Sequence, residues 1–574
     1  MDYRIIVIVK IFLFAASNLG LYSFIREKTE LHISFIPILT VSIQIMLLTF
    51  AGFVNLLTEM TYLMYLFGIG YFLKDLFRQK LSGSRAFLSP EYVFLGVMLV
   101  TVLLAVRGSS FFHYDDFSHW GVVTRIMLEN DRFPNAVDPM ISFMEYPLGS
   151  ATYIYYFCRL TAGTESFQML AQAFMILAAL LPIFSRVRKN RGLAFCFMLI
   201  FANLIMTCLI PVQSLLVDTL LPLFGMAALL LLNTGGTREE RDRAAICAMP
   251  MLASVMLIKN SGFFFLLIGM AMVFWPRIRN RQLSRKILFA YLIPFAAMYL
   301  WKMHCLMVFG DPEMSKHAMT MANYISQFRQ KEIGDMQQIC LDVLRYMLTM
   351  PALPAIGAGI AVLYGLIRLT GSDRRKQFVK STGILIVVYG LHIVGMCGMY
   401  IFSMPPQEAE TLAGIDRYTG SAVIAQLYFL AVWMMNILSD LEGRTVRTVC
   451  WCTAFLGEIL IWGGLTDFSV IHGGQSSPLR NEIEAVAADY GIPTGQTYYL
   501  YGDDPEHNGY LYNVSGYVLW SSDVTVDPEV TAEDLESIED VQYLILLKPA
   551  EAVLDNWIRE NYPDQYGSRV IAIG

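Results

Sequence analysis

Charge is scarce in this chain. Only 16% of its 574 residues are Asp, Glu, Lys or Arg, against about 25% in a soluble domain. The hydrophobic share is 56% and the mean hydropathy +0.50, which excludes a single soluble globule and points to a polytopic membrane protein. Basic excess is missing too. The net charge is −6, so no basic surface is expected and no nucleic-acid partner. The nine cysteines show no zinc or redox spacing, and nearly all lie in or beside apolar runs, where a thiol packs as a small hydrophobe. None falls in 466–574; such a tail needs no oxidising compartment and suits a bacterial surface. There is no low-complexity tract and no internal repeat, which weighs against a transporter of duplicated halves. The run Arg4–Phe24 is too long, and lacks the small-residue cleavage site, for a signal peptide.

What is present is a long series of apolar segments. Crossing a bilayer as a helix takes about 20 such residues. Fourteen segments approach that length, near 4–24, 33–57, 60–77, 89–106, 165–185, 192–209, 212–233, 244–259, 262–276, 287–304, 350–368, 382–402, 419–438 and 447–465. The basic residues cluster in alternate connections. They begin with Arg26 and Lys28, then Lys74 to Arg85, Arg186 to Arg191 and Arg238 to Arg243. Arg277 to Lys286, Arg374 to Lys380, and Arg444 with Arg447 complete the series. The positive-inside rule places all of these in the cytoplasm. Loops 107–164, 305–349 and 403–418 and the tail from 466 then lie outside. The tail holds 19 acidic and 4 basic residues, a net charge of −15.

The expected architecture is an α-helical polytopic membrane protein of about 14 transmembrane helices. Residues 1–88 form N-terminal helices, 89–465 a catalytic module with the outer loop 107–164, and 466–574 a small extracytoplasmic α/β domain. In that domain Asn481–Tyr490 and Ala550–Asn561 read as helices. Thr497–Tyr501, Val541–Leu547 and Ser568–Ile573 read as strands.

The richest polar stretch is His113-Tyr-Asp-Asp-Phe-Ser-His-Trp120, shortly after the fourth apolar segment. Ionisable groups at a membrane border are costly to keep and mark candidate functional sites. Residues 117–130 are amphipathic at helical spacing, with Trp120, Val123, Ile126 and Met127 facing lipid or the protein body and Arg125 and Glu129 facing water, as in a helix lying in the interface plane. Asp116 stands where an N-cap would. Capping explains one carboxylate but not Asp115 beside it. Glu145-Tyr146-Pro147-Leu148 follows in the same loop. Asp218 is expected about two turns into a helix entering from outside, and Lys259 and Arg417-Tyr418 at outer helix ends. Structural readings compete: an interhelical partner for Asp218, and snorkelling for the two cations. The convergence of carboxylates and cations at one level favours chemistry, with cations for a phosphate and a carboxylate pair for taking a hydroxyl proton.

At these residues the chain resembles the GT-C superfamily of integral membrane glycosyltransferases. Those enzymes carry an acidic pair in the first large outer loop, the place of Asp115-Asp116. Glu145-Tyr146-Pro147-Leu148 is similar to a Tyr/Lys-Pro-Pro-Leu stretch of that loop, and Arg417-Tyr418 to an Arg-Tyr near a late outer helix end. A soluble outer C-terminal domain is common there. The resemblance covers roughly 89–465, with one proline rather than two after Tyr146 and no third histidine-rich element. Subfamily and divalent-metal dependence therefore stay open. The resemblance implies transfer of a sugar from a polyprenyl-phosphate donor to a glycan, lipid or protein acceptor at the outer face of the cell membrane. Asp115 or Asp116 would be the base, and Lys259, Arg417 and His119 would steady the leaving phosphate. Glu145, Tyr146, Asp218 and Tyr418 would complete substrate binding. A transporter or lipid flippase, a polysaccharide polymerase or ligase, and a scaffold presenting the acidic tail are the rival readings.

Topology is directly testable. With cysteines introduced at Ser84 and Ser476, an impermeant thiol reagent added to intact cells should label position 476 and spare 84. Labelling of 84 alone would invert the whole arrangement.

Overall fold

The computed structural model describes residues 3–573 apart from 79–88, 139, 209–211, 311–319, 370–373, 445–446, 449, 453–454, 456–472 and 506–508. Helices dominate. α1 (Tyr3–Thr29), α2 (Ile36–Gly52), α3 (Leu57–Phe77) and α4 (Pro90–Val106) lead to a loop that carries α5 (Gly121–Asn130) and α6 (Gly149–Leu160). Then come α7 (Glu165–Leu180), α8 (Arg191–Cys208), α9 (Leu220–Leu232), α10 (Arg238–Ile258), α11 (Phe263–Arg279), α12 (Arg285–Ala290) and α13 (Ile293–Phe309). The last membrane-side elements are α14 (Met321–Arg329), α15 (Ile333–Thr349), α16 (Ala352–Leu369), α17 (Arg375–Phe402), α18 (Pro406–Glu410) and α19 (Ile415–Asp440).

Thirteen of the fourteen apolar segments fall on helices; 447–465 lies largely outside the described residues. Among the described residues, eight helices are long and apolar enough to cross a membrane, and Pro90–Val106, Arg191–Met206 and Leu220–Leu232 are shorter apolar helices. The chain is a multi-pass membrane protein. Exposed Val362, Ile386, Leu391 and Val394 give α16 and α17 an apolar outer face of the kind lipid covers. The centre is packed instead: α2 lies against α6 and α10, so the first helices share the core of the later ones. α1 and α3 cross at Gly20 and Gly68, where a β-carbon on Gly20 would come within 2.0 Å of the Gly68 carbonyl oxygen. Small residues let apolar helices approach this closely.

One expected helix is broken. Residues 212–219, predicted as its first turns, are non-helical yet buried, each at most 7% exposed. Irregular backbone at such depth survives only where protein satisfies it. Here Gln172 Nε2 donates to the carbonyls of Ser214 (3.3 Å) and Leu216 (2.8 Å), and Ser421 Oγ donates to that of Asp218 (2.8 Å).

The tail is the expected α/β domain with more elements than the sequence pattern revealed. α20 (Pro478–Asp489), β1 (Tyr498–Tyr501), α21 (Tyr510–Leu519), β2 (Val524–Asp527), α22 (Asp534–Glu539), β3 (Tyr543–Leu546), α23 (Ala552–Asn561) and β4 (Val570–Ala572) follow in order. The sheet runs β2-β1-β3-β4, with β1 parallel to both neighbours and β4 antiparallel at the edge. Every β1 residue is buried, as in a parallel sheet covered on both faces. Tyr499, Tyr501, Leu544 and Ile571 pack with Leu554, Trp557 and Ile558 of α23. Tyr498, Leu500 and Ile545 belong to the apolar cluster that continues into the helical body.

The tail is stitched to the loop after α4. Gly474 N donates to the Arg107 carbonyl (2.9 Å), Ser110 N to that of Gln475 (2.8 Å), and the Tyr510 hydroxyl to that of Phe112 (2.8 Å). Arg480 makes a bidentate pair with Glu165 at the start of α7 (2.7 and 3.0 Å), and the Tyr517 hydroxyl donates to the same carboxylate (2.8 Å). Both members are mostly buried, with side chains 10% and 17% exposed. Removing one partner of such a pair strands the other charge, at about 3–5 kcal/mol. Arg480→Ala should therefore destabilise the fold by about that much in thermal unfolding and expose the tail to protease, whereas Arg480→Met with Glu165→Met should recover most of the loss. A single variant melting like the parent would show the pair to be dispensable.

Candidate functional site

The loop after α4 turns sharply at His113. Its Nδ1 accepts from Asp115 N (3.1 Å), and Asp116 N donates to its carbonyl (3.0 Å). Next comes one π-helical turn, Asp116–Trp120, running straight into α5. Such turns recur at functional sites. Gly121 is required where this turn closes: a β-carbon there would come within 2.5 Å of the Asp116 carbonyl oxygen.

The two adjacent carboxylates part company. Asp116 points inward and is 0% exposed; its Oδ1 accepts from Leu215 N at 2.9 Å, and its Oδ2 has no partner. Asp116 is thus not the helix cap predicted from its position, but an acceptor for the broken segment 212–219. Burial pushes its carboxyl up to about 8, against the pull of the Leu215 N–H. Asp115 keeps a 14% exposed side chain and forms an ion pair with Arg417 of α19.

Asp218 lies before α9 rather than two turns inside a helix, and pairs with Lys259 at 2.7 Å; the side chains are 3% and 15% exposed. Lys259 is the extended residue that ends α10. Its Nζ sits 5.0 Å from the Tyr418 ring centroid. Tyr418, Lys259 and Asp218 all act electrostatically on Tyr146, which stacks on Phe143 at 4.8 Å. Asp115, Asp218, Lys259, Arg417, Tyr418 and Tyr146 thus converge from five separate stretches of chain.

Two further predicted residues border this group at Tyr146. His119 is 1% exposed, wedged against Trp120, Phe143 and Tyr146, with neither ring nitrogen hydrogen-bonded. Burial pulls its imidazolium down to about 3, which favours the neutral ring at physiological pH. Glu145 contributes its carbonyl to Trp301 Nε1 (2.9 Å). Of the two surroundings expected for the apolar side of the amphipathic helix, lipid or the protein body, it takes the second. Trp120, Val123, Ile126 and Met127 are at most 5% exposed inside the protein, and the Arg125 guanidinium lies 3.8 Å over the Trp520 ring of the tail. That helix is sandwiched between body and tail because its apolar face finds protein there.

Sequence reasoning missed Gln172, Ser421, Glu165 and Arg480, which carry the supporting bonds. Arg480 alone left a signal, as one of four cations in an acidic tail. Tyr346 of α15, whose hydroxyl donates to Asp416, was likewise missed. Among the described residues, no three His, Cys, Asp or Glu side chains converge to hold a metal ion.

These shifts have opposite signs with pH. A carboxyl raised to about 8 holds its proton better folded than unfolded, so its contribution to stability is lost as pH rises toward 8. Burial pulls His113 down to about 4 and His119 to about 3, so both favour the fold above the ordinary histidine value of about 6.5 and lose that contribution as pH falls below it. Of these three groups only Asp116 changes its contribution between about 6.5 and 8, and it should lower the melting temperature as pH rises. Asp116→Asn should flatten that slope; an unchanged slope would place the titrating group elsewhere.

No family profile matches the chain, and no curated protein does. A crystal structure of ArnT from Cupriavidus metallidurans in the apo state is similar to it at a TM-score of 0.38 and 8% identity, with 82% of this chain and 94% of that one covered. Similarity so distant leaves function to be argued from the site itself.

Proposed function

We propose that the protein is a membrane glycosyltransferase of the GT-C kind, moving a sugar from a polyprenyl-phosphate donor to a glycan, lipid or protein acceptor on the outer face, where the loop 107–164 and the tail lie. The observation that carries this reading is the juxtaposition of two carboxylate–cation pairs, Asp115–Arg417 and Asp218–Lys259, beside the ends of apolar helices.

Asp115 is the better-placed base, since its side chain is partly open and Asp116 is occupied with Leu215. The acceptor oxygen attacks the anomeric carbon and gives its proton to the Asp115 carboxylate. The bond from that carbon to the phosphate oxygen breaks, and the electron pair leaves with the phosphate. Once Asp115 is protonated, its hold on Arg417 weakens just as negative charge develops on the leaving group. A preorganised cation is thereby released toward the phosphate, where fixed charge in a water-poor site counts most. Lys259, held by Asp218, adds a second charge at the same level. The lipid-linked donor would reach the site along the apolar faces of the helices.

The test is complementation of a deletion strain, with surface glycans read by mass spectrometry. Asp115→Asn should cut transfer by roughly 100- to 10,000-fold at normal expression. Arg417→Lys should also lose activity, because a point charge does not replace a guanidinium fork. Full product from a well-folded Asp115→Asn variant would sink the assignment.

A further inference from the structure

A crevice of about 410 Å³ opens between α5, the start of α7 and the tail. None of its lining residues belongs to the Asp115–Arg417 cluster. The floor is the Glu165–Arg480 pair with Tyr517. Arg125, Glu129 and Glu484 form the rim, the two carboxylates each 46% exposed. We infer that this crevice binds a neutral glycan, the acceptor chain of the transferase reading, on which only the word acceptor rests.

Volume comes first. Ligand sites commonly span about 300–1,000 Å³, so a short run of sugar rings fits. Charge is the discriminating argument. Both guanidiniums are already matched, Arg125 by Glu129 at 2.9 Å and Arg480 by Glu165 and Glu484 at 2.7 and 2.8 Å. With three carboxylates to two cations, an anionic ligand meets no attractive field. A lipid tail would strand the polar rim without partners. A polyhydroxylated neutral ligand both donates and accepts. It can use the spare carboxylate lone pairs and guanidinium N–H groups without breaking the pairs. The buried floor is held from below and needs no reordering on binding.

The crevice also communicates with the reactive segment. Phe111 N donates to Glu165 (2.6 Å), and Arg480 donates to the Phe111 carbonyl (3.4 Å), four residues before Asp115. The strap that carries Asp115 is thus bonded to the floor pair from behind, without itself lining the crevice.

Gly163 provides a clean test, because it lines the crevice and a β-carbon on it meets nothing within 4 Å. The full chain in nanodiscs is applied to an array of neutral and anionic oligosaccharides. Parent and Gly163→Ala should bind neutral glycans, and Gly163→Trp should bind them at least about tenfold more weakly. Binding of no neutral glycan, binding of anionic glycans alone, or parent-like binding by the Trp variant would overturn the inference. Asp115→Asn separates the two readings. Glycan binding with transfer indifferent to Asp115 defeats the transferase and leaves the crevice standing. Transfer that needs Asp115, with binding untouched by Gly163→Trp, defeats the crevice alone.

Discussion

A polypeptide that unwinds inside an apolar body must find a partner for every backbone group it exposes. Residues 212–219 do this, and much of the site follows from how they succeed. Gln172 of α7, Ser421 of α19 and Asp116 of the loop each supply a bond to this stretch. Those bonds draw three elements, distant in sequence, to one place. Asp218 is brought beside Lys259, and Arg417, four residues before Ser421 on α19, is brought beside Asp115. The unwinding also releases Asp218 from the helix, so its carboxylate need not project from an apolar surface.

Charges at this site come in matched pairs because the surroundings allow little else. An isolated buried ion costs several kcal/mol even after relaxation. The Asp218–Lys259 side chains, at 3% and 15% exposure, can stay ionised together only because each neutralises the other. The same logic governs the tail. Glu165 would be untenable at the start of α7 without Arg480, and Arg480 comes from beyond residue 466. The tail is therefore part of the structure that shapes the loop, joined to it through backbone bonds at residues 107–112 as well as through this pair. Its acidic surplus sits elsewhere, on faces open to water.

Much of the helical layout was legible in the sequence, because continuous apolar runs of fixed length report it directly. The tail was half legible. α20, α23 and three strands follow periodicity, whereas α21, with Asn513, Ser515, Gly516 and several tyrosines, has a poor intrinsic preference for helix. Packing of Leu511, Val514 and Tyr517 against the main core overrides it. The break at 212–219 was illegible, since Val-Gln-Ser-Leu-Leu-Val-Asp-Thr reads as apolar helix. Its cause lies in Gln172 and Asp116, far away in sequence. The amphipathic pattern of α5 was legible as a two-sided helix, but whether lipid or the protein body covers its apolar side was not. Periodicity shows that an apolar face is covered and does not say whether lipid or protein covers it.

The division of labour between Asp115 and Asp116 was illegible for a related reason. Two consecutive acidic residues look interchangeable in a sequence. Consecutive helical residues point about 100° apart, and a π turn at Asp116–Trp120 changes that angle again. One carboxylate therefore faces the partly open Arg417 side and the other the closed core. Environment then separates their chemistry: the buried one is held protonated to about pH 8, while the other keeps an ionic partner. A fully enclosed Asp116 holds the backbone of the unwound segment in place. In the proposed reaction the partly open, ion-paired Asp115 takes a proton and, in taking it, hands its cation to a neighbour. An apparent acidic pair thus resolves into one structural acceptor and one candidate base, and the unwound segment behind Asp116 is what forces the two apart.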